Sequence, residues 1–180
     1  MRLIARGPAA PGAADEVVIA LGPAFATGLD AVLCGLSHGE TLRALIEGIE
    51  SEGLRVRLVK VHHSADCGVI GFEGAKLSGS GIAIGLQSKG TTVIQRQGLA
   101  PLDNLQLFAQ APLLSAAAYQ RIGANAACHA KRQPPAPIPV GVDNMARLKR
   151  IVQAMLAHKR EIAAIDPTCA PTEMEAHFDA

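Results

Sequence analysis

Glu16-Val17-Val18-Ile19-Ala20-Leu21 is a polar residue followed by an unbroken apolar run, rich in β-branched side chains and stopped by Gly22-Pro23. A run without polar alternation reads as a strand covered on both faces, as inside a parallel sheet. Downstream, Ser37-His38-Gly39-Glu40 has capping-box spacing: the serine hydroxyl reaches the amide three residues on, and the glutamate reaches back. Leu42, Leu45, Ile46 and Ile49 then recur at helical spacing, and Gly53 supplies a stop. Arg55-Val56-Arg57-Leu58-Val59-Lys60-Val61 returns as a strand. Strand, capped helix and strand predict a right-handed βαβ unit.

Outward from that unit, residues 64–77 read as a helix with Asp66 near its start. Residues 81–86 and 91–95 read as two short strands around Gln87-Ser88-Lys89-Gly90, a hairpin whose second strand runs antiparallel. Residues 115–132 are Ala-rich and helical. Gln133-Pro134-Pro135-Ala136-Pro137-Ile138-Pro139 opens a stiff connector over 133–142, because proline fixes φ and removes donors. Met145, Leu148, Val152, Met155, Leu156 and Ile162 mark the apolar stripe of a helix over 144–164. The expectation is one domain over 15–165, a three-layer α/β/α fold on a small mixed, mostly parallel sheet. Residues 1–14 are expected to be a disordered leader and 166–180 a polar tail.

Composition narrows the function. Of 180 residues 49% are hydrophobic and only 18% charged, with 17 basic against 16 acidic. So neutral a chain has no field for gripping nucleic acid, and four Phe, one Tyr and no Trp make a poor base-stacking platform. Few charges together with a mean hydropathy of +0.23 imply a surface partly covered by a partner protein. Cys34, Cys67, Cys128 and Cys169 form no C-x-x-C pair and are expected to be buried free thiols. No apolar run is long enough for a membrane span, and the opening residues do not form a signal peptide.

Each chemically equipped stretch has a plain reading beside its functional one. Gly79-Ser80-Gly81 with Gly85 partly matches a dinucleotide fingerprint, but a strand follows where the phosphate-binding helix should begin. A tight entry into a strand, where backbone approaches closely, fits better. His62-His63-Ser64-Ala65-Asp66-Cys67 is metal-capable in composition, yet adjacent residues on a strand face opposite ways, so a strand end and helix cap fit better. Gln87-Ser88-Lys89-Gly90-Thr91-Thr92 offers hydroxyls, a cation and backbone amides, the parts that hold a phosphate, or else simply a surface hairpin. Arg147, Lys149 and Arg150 are by default a solvated helix face. No local nucleophile motif stands anywhere.

Four stretches taken together are more specific. They are Asp15 to Phe25 (Asp-Glu-Val-Val-Ile-Ala-Leu-Gly-Pro-Ala-Phe), His38 to Gly53, Leu77 to Ile94 (Leu-Ser-Gly-Ser-Gly-Ile-Ala-Ile-Gly-Leu-Gln-Ser-Lys-Gly-Thr-Thr-Val-Ile) and Pro101 to Leu114, continuing through Tyr119 to Ala127. In these, from about Asp15 to Ile165, the chain resembles the medium subunit of the adenosylcobalamin-dependent diol and glycerol dehydratases. The resemblance implies a Rossmann-like domain similar to anticodon-binding domains, in a lyase that turns a 1,2-diol or glycerol into an aldehyde and water. Large and small subunits are its implied partners, as a dimer of heterotrimers, with a reactivating factor besides. The large subunit carries the chemistry, and adenosylcobalamin is shared with it, the medium subunit clamping the cofactor's nucleotide side.

By the same resemblance, Lys89 matches a cofactor-contacting lysine, Asp66 and Arg147 match positions near the nucleotide loop, and Pro101, Leu102 and Asn104 line the same region. All six are binding residues, with no catalytic residue and no metal ligand among them. Ala109 stands where several relatives have proline, and Ala154 where a serine is familiar. The family's long N-terminal extension is reduced to residues 1–14, which argues against microcompartment packaging and for a cytoplasmic setting. The nearest alternative is the small subunit of the dehydratase-reactivating factor, a cofactor-exchange module. An RNA-binding domain and a dehydrogenase are more distant readings.

Overall fold

The computed structural model describes residues 1–178, the Arg147 side chain excepted. Its core is the expected unit: β2 (Glu16–Leu21), α1 (His38–Ser51) and β3 (Arg55–Lys60), with β2 and β3 parallel from Glu16↔Arg55 to Leu21↔Lys60. The capping box forms as spaced, with the Glu40 amide donating to Ser37 Oγ and the Glu40 carboxylate accepting from the Ser37 amide. Every residue of β2 is buried, which accounts for its unbroken apolar pattern. A second crossover, α2 (Cys67–Leu77), leads to β4 (Ile82–Leu86), which pairs parallel with the other side of β2.

The chain therefore leaves β2 to one side through α1 and returns to its other side through α2. The carboxyl ends of β2, β3 and β4 face one crevice, the place where open α/β sheets bind ligands. β4 continues through residues 87–91 into β5 (Thr92–Arg96), the expected antiparallel hairpin, and β6 (Gln106–Phe108) closes that edge. Helix α3 (Ala116–Ala130) packs with α1 over one face. Val17, Ile19, Leu21, Leu45 and Ile122 belong to the core on that side. Val18, Ala20, Val59 and Ile70 form a smaller core under α2. Three layers result.

The sheet departs from expectation in size and direction. It has seven strands in the order β1-β7-β3-β2-β4-β5-β6, and only β2–β3 and β2–β4 are parallel. The extra strands come from segments expected to be irregular. Residues 1–14 are no disordered leader, since Arg2–Pro8 is strand β1, and Thr172–His177, in the expected tail, is β7. β7 lies between β3 and β1, antiparallel to both. Arg57 fastens this edge, bonding Glu16, Glu173 and the Ala10 carbonyl. β1 has no sustained apolar alternation, while β7 alternates Met174 and Ala176, packed on the core, with Glu173, Glu175 and His177, but in residue types of weak strand preference. Both are extended because a neighbour supplies hydrogen-bond partners.

The connector over 133–142 carries no helix or strand, and the buried Asn125 side chain holds it through a two-way bond with the Ala136 amide and carbonyl. The final helix is in two pieces, α4 (Ala146–Lys149) and α5 (Ile151–Ala163). Its apolar stripe is not packed on the body. Val152 and Met155 are each 66% exposed, and Met145, Leu148 and Leu156 are also exposed. Only Ala157 and Glu161, one turn apart, are buried within α5. Of the cysteines, all free, Cys67 alone is buried.

The α1–α3 contact is a backbone approach. A Cβ at Gly48 would lie 1.9 Å from the Gln120 carbonyl oxygen, and one at Gly123 2.2 Å from that of Leu45. Replacing Gly123 by alanine improves helix propensity by about 0.5–1 kcal/mol, but overpacking costs about 1–3 kcal/mol and here meets backbone. Gly123→Ala is expected to lower stability by roughly 2 kcal/mol in urea unfolding. A stabilised variant would show that the two helices separate freely.

Candidate functional site

The hairpin turn at 87–91 stands over the crevice and is held from three directions. The His38 ring bonds the Ser88 carbonyl at 2.7 Å, the Leu33 amide donates to Lys89 O at 3.0 Å, and the Tyr119 hydroxyl donates to Gly90 O at 2.8 Å. Three successive carbonyls are thus fixed by residues from the 22–37 loop, the start of α1 and the first turn of α3. The turn closes on itself through Gly90 N to Gln87 O and Gln87 N to Thr91 O. Gly90 has φ +98, and a Cβ there would lie 2.5 Å from the Tyr119 hydroxyl, so the position takes glycine.

His38 has a defined tautomer. Its Nδ1 accepts from the Ala26 amide at 2.9 Å, so the proton resides on Nε2 and is donated to Ser88 O. The ring stacks on Phe25 with centroids 4.0 Å apart. Burial pushes its pKa down, keeping it neutral. Below the turn, the Cys67 thiol contacts the Gly85 and Thr91 carbonyls at 3.4 Å. Burial, reinforced by the Asp66 charge, pushes this thiol up to about 12. It is a packed, unreactive group.

With its backbone fixed, the turn presents Lys89 to a groove of about 430 Å³. Thr91, Leu33, Ala109 and the 111–112 segment form one wall, and Leu148, Arg150, Ile151 and Ala154 of the last helices form the other. Among the described residues the Lys89 ammonium makes no hydrogen bond or ion pair, and no carboxylate lines the groove. One free cation, a second in Arg150, a hydroxyl and apolar walls suit a ligand with an anionic group and a flat or aliphatic body.

The other expected binding residues lie at differing distances from this groove. Asp66 caps α2, its carboxylate accepting from the Val69 amide at 3.0 Å. It shares the crevice end of the sheet with Lys89, and both charges act on Cys67. Gly68 brings Pro101 beside Asp66, since a Cβ there would lie 2.4 Å from Pro101 O and 3.2 Å from Asp66 Oδ1. Leu102 is exposed, and Asn104 bonds the Leu102 carbonyl. Asp66, Pro101, Leu102 and Asn104 thus neighbour α2's first turn and do not line the groove. The Arg147 side chain lies outside the described residues, while its neighbour Leu148 lines the groove. Ala109 and Ala154, the two departures noted above, both line it.

Glu161 is the residue the sequence did not mark. It is 2% exposed at the foot of α5, and neither carboxylate oxygen has a hydrogen-bond partner. A Cβ on Gly22 would lie 1.9 Å from its Oε1, so the glycine after β2 makes room for it. Burial raises its pKa, opposed by the Ser88 hydroxyl and amide and by Lys60 and Lys89. Lys60 bonds Phe25 O and Thr27 Oγ1, and burial lowers its pKa. Both groups are pushed toward their neutral forms. Elsewhere the glycine pattern follows its plain reading: a Cβ on Gly79 would strike the Ala13 backbone, and one on Gly85 the backbone of α2. His62 bonds Thr172 on β7, and no cluster of three or more metal-capable side chains forms among the described residues. No helix among them is long and apolar enough to cross a membrane.

The family model described as dehydratase medium subunit matches residues 22–136, which hold β3 to β6, helices α1 to α3 and the whole clamped turn. The chain belongs to the dehydratase medium subunit family. Solved structures resemble this medium subunit more distantly. A glycerol dehydratase reactivase aligns at TM-score 0.57 with 19% identity, covering 72% of this chain and 99% of its own. A diol dehydratase-reactivating factor, solved with ADP and Mg2+, aligns at 0.51 with 21% identity, covering 71% and 99%. These likenesses show a shared fold alone. As a dehydratase medium subunit, the chain is part of a lyase complex whose partners are large and small subunits.

Glu161 has a raised native pKa, so the folded protein holds its proton more tightly than the unfolded chain. Its contribution is most favourable below the ordinary value of 4.5 and is lost as pH rises from there toward the native pKa. Glu161→Gln removes that loss. Its stability relative to wild type should therefore rise with pH above about 4.5 and then level off, as read by urea unfolding at a series of pH values. A difference independent of pH would mean that Glu161 stays ionised when buried.

Proposed function

We propose that this subunit clamps the nucleotide side of adenosylcobalamin against the large subunit of a diol or glycerol dehydratase. The observation that carries the reading is an unpaired Lys89 on a rigid turn, facing a groove with a cationic and apolar lining. A nucleotide tail combines a phosphodiester with a flat apolar base, and the groove offers Lys89 and Arg150 to the first and Leu33, Ile151 and Pro112 to the second. The residues present therefore fit that part of the cofactor. When bound, adenosylcobalamin supplies the radical that the dehydration needs.

Each residue of this chain then has a binding task. Lys89 neutralises the phosphodiester, its position fixed beforehand by the bonds to Ser88 O, Lys89 O and Gly90 O, which lowers the ordering cost of binding. Asp66 at the start of α2, and Pro101, Leu102 and Asn104 from the connection between β5 and β6, reach the polar rim of the cofactor, where carboxylate and amide groups suit the corrin side-chain amides. Arg147 joins them from α4. No residue of this subunit transfers a proton or a radical. Exposed Val152, Met155 and Leu156 on α5 adjoin the groove, which supports a large subunit covering both the apolar stripe and the bound cofactor.

The alternative, an exchange module of a reactivating factor, is supported by the fold likeness alone. The two readings separate on co-expression with large and small subunits from the same genome, followed by addition of adenosylcobalamin. A complex that keeps the corrinoid spectrum and forms an aldehyde from propane-1,2-diol or glycerol is the expected result. A complex without corrinoid favours the exchange module. Within the assembled complex, Lys89→Ala should weaken cobalamin retention by roughly tenfold or more, as expected for a hydrogen bond to a charged group. Subunit assembly on gel filtration should not change, and equal loss of both would make Lys89 structural.

A further inference from the structure

A second cleft, of about 640 Å³, lies where β4 begins, β5 ends and α3 gives way to the connector. Strand direction puts it at the opposite end of the sheet from Lys89. Arg96, Arg132, His129, Gln97, Gln133 and Ser80 line it, with no carboxylate among its lining residues. Three arginines elsewhere are held by carboxylates: Arg6 by Glu175, Arg55 by Asp15, and Arg57 by Glu16 and Glu173. The side chains of Arg96 and Arg132 make no hydrogen bond or ion pair among the described residues. The buried His129 Nε2 likewise has no partner.

Two further features set these groups around one space. Arg132 has φ +58, a left-handed conformation at the end of α3 where glycine is the usual choice. The carbonyls at that helix end are already used, with Ala127 O accepting from Lys131, Cys128 O from Gln133 and His129 O from Arg132. The arginines are therefore not spent on capping the helix. Ser80 Oγ is held by the Ser78 hydroxyl and the Ile82 amide, which fixes that wall.

We propose that this cleft binds a phosphate group, free or as a monoester, independently of the Lys89 groove. Two guanidiniums match a dianion in charge and offer paired N–H donors to its oxygens. The Gln97 and Gln133 amides add neutral donors, and the volume leaves room for an organic substituent on the phosphate.

The test is calorimetric titration of the full chain at fixed ionic strength with inorganic phosphate, phenyl phosphate, acetate and a glutamate-rich peptide. Saturable phosphate binding is expected, with Arg96→Ala and Arg132→Gly each weakening it by roughly tenfold, as for a charged hydrogen bond. Lys89→Ala should leave it intact. Arg132→Gly suits the left-handed backbone, so its fold is retained, and thermal melts check both variants. Phenyl phosphate binding more tightly than phosphate supports a monoester ligand, and equal affinities support free phosphate. Non-saturable binding, affinity unchanged in both arginine variants, or loss with Lys89→Ala overturns the proposal. So does acetate or the acidic peptide binding as tightly as phosphate.

Discussion

The hydrogen bond from His38 Nε2 to the Ser88 carbonyl ties the start of α1 to the lysine turn across the crevice end of the sheet. His38 is the first residue of α1, so its ring is aimed by the same capping box that starts the helix. Its other nitrogen accepts from Ala26 and thereby fixes the loop after β2. Helix start, post-strand loop and lysine turn are consequently one rigid body, with Tyr119 tying α3 to it. A neutral, singly protonated imidazole suits this task because it donates on one side and accepts on the other. A protonated ring would have no acceptor for the Ala26 amide, and burial works against that state.

The parts of the fold that were legible are those whose signal is local. β2, α1 and β3 declare themselves by an apolar run, a cap and a helical period within one short stretch, and the hairpin by its spacing. β1 was not legible because Arg2–Pro8 has no alternation, and β7 because its alternation of Met174 and Ala176 with Glu173, Glu175 and His177 is short and written in glutamate and alanine, poor strand formers. Their extended form depends on partners distant in the chain, and they turn a sheet with two parallel and two antiparallel pairings into a mostly antiparallel one. Tertiary context overrode weak local preference there.

The site divides in the same way. Lys89 could be singled out from its turn and from the resemblance, but its supports could not, since Leu33 and His38 lie some fifty residues before it and Tyr119 thirty after it. Glu161 was hidden by the stripe around it. Reading α5 by its large apolar residues selects Met155 and Leu156 as the packed face, whereas the seated face is Ala157 and Glu161. A small residue lets the helix come close, and Gly22 leaves space for the acid beneath it. The apolar stripe is instead a surface, in keeping with a chain of so few charges.

The edge order β3, β7, β1 also bears on how the molecule is made. β1 has β7 as its strand neighbour, and β7 completes its pairing between β1 and β3. On the ribosome the segment that becomes β1 emerges well before its partner β7, and its ladder cannot form until Thr172–His177 has been made. During that interval Leu3 and Ile4 travel without their sheet, and the exposed edge is β3. Emergence of β7 is thus itself the event that seals this side of the domain, and a nascent chain halted before residue 172 would display an open strand edge to whatever else is in the cell.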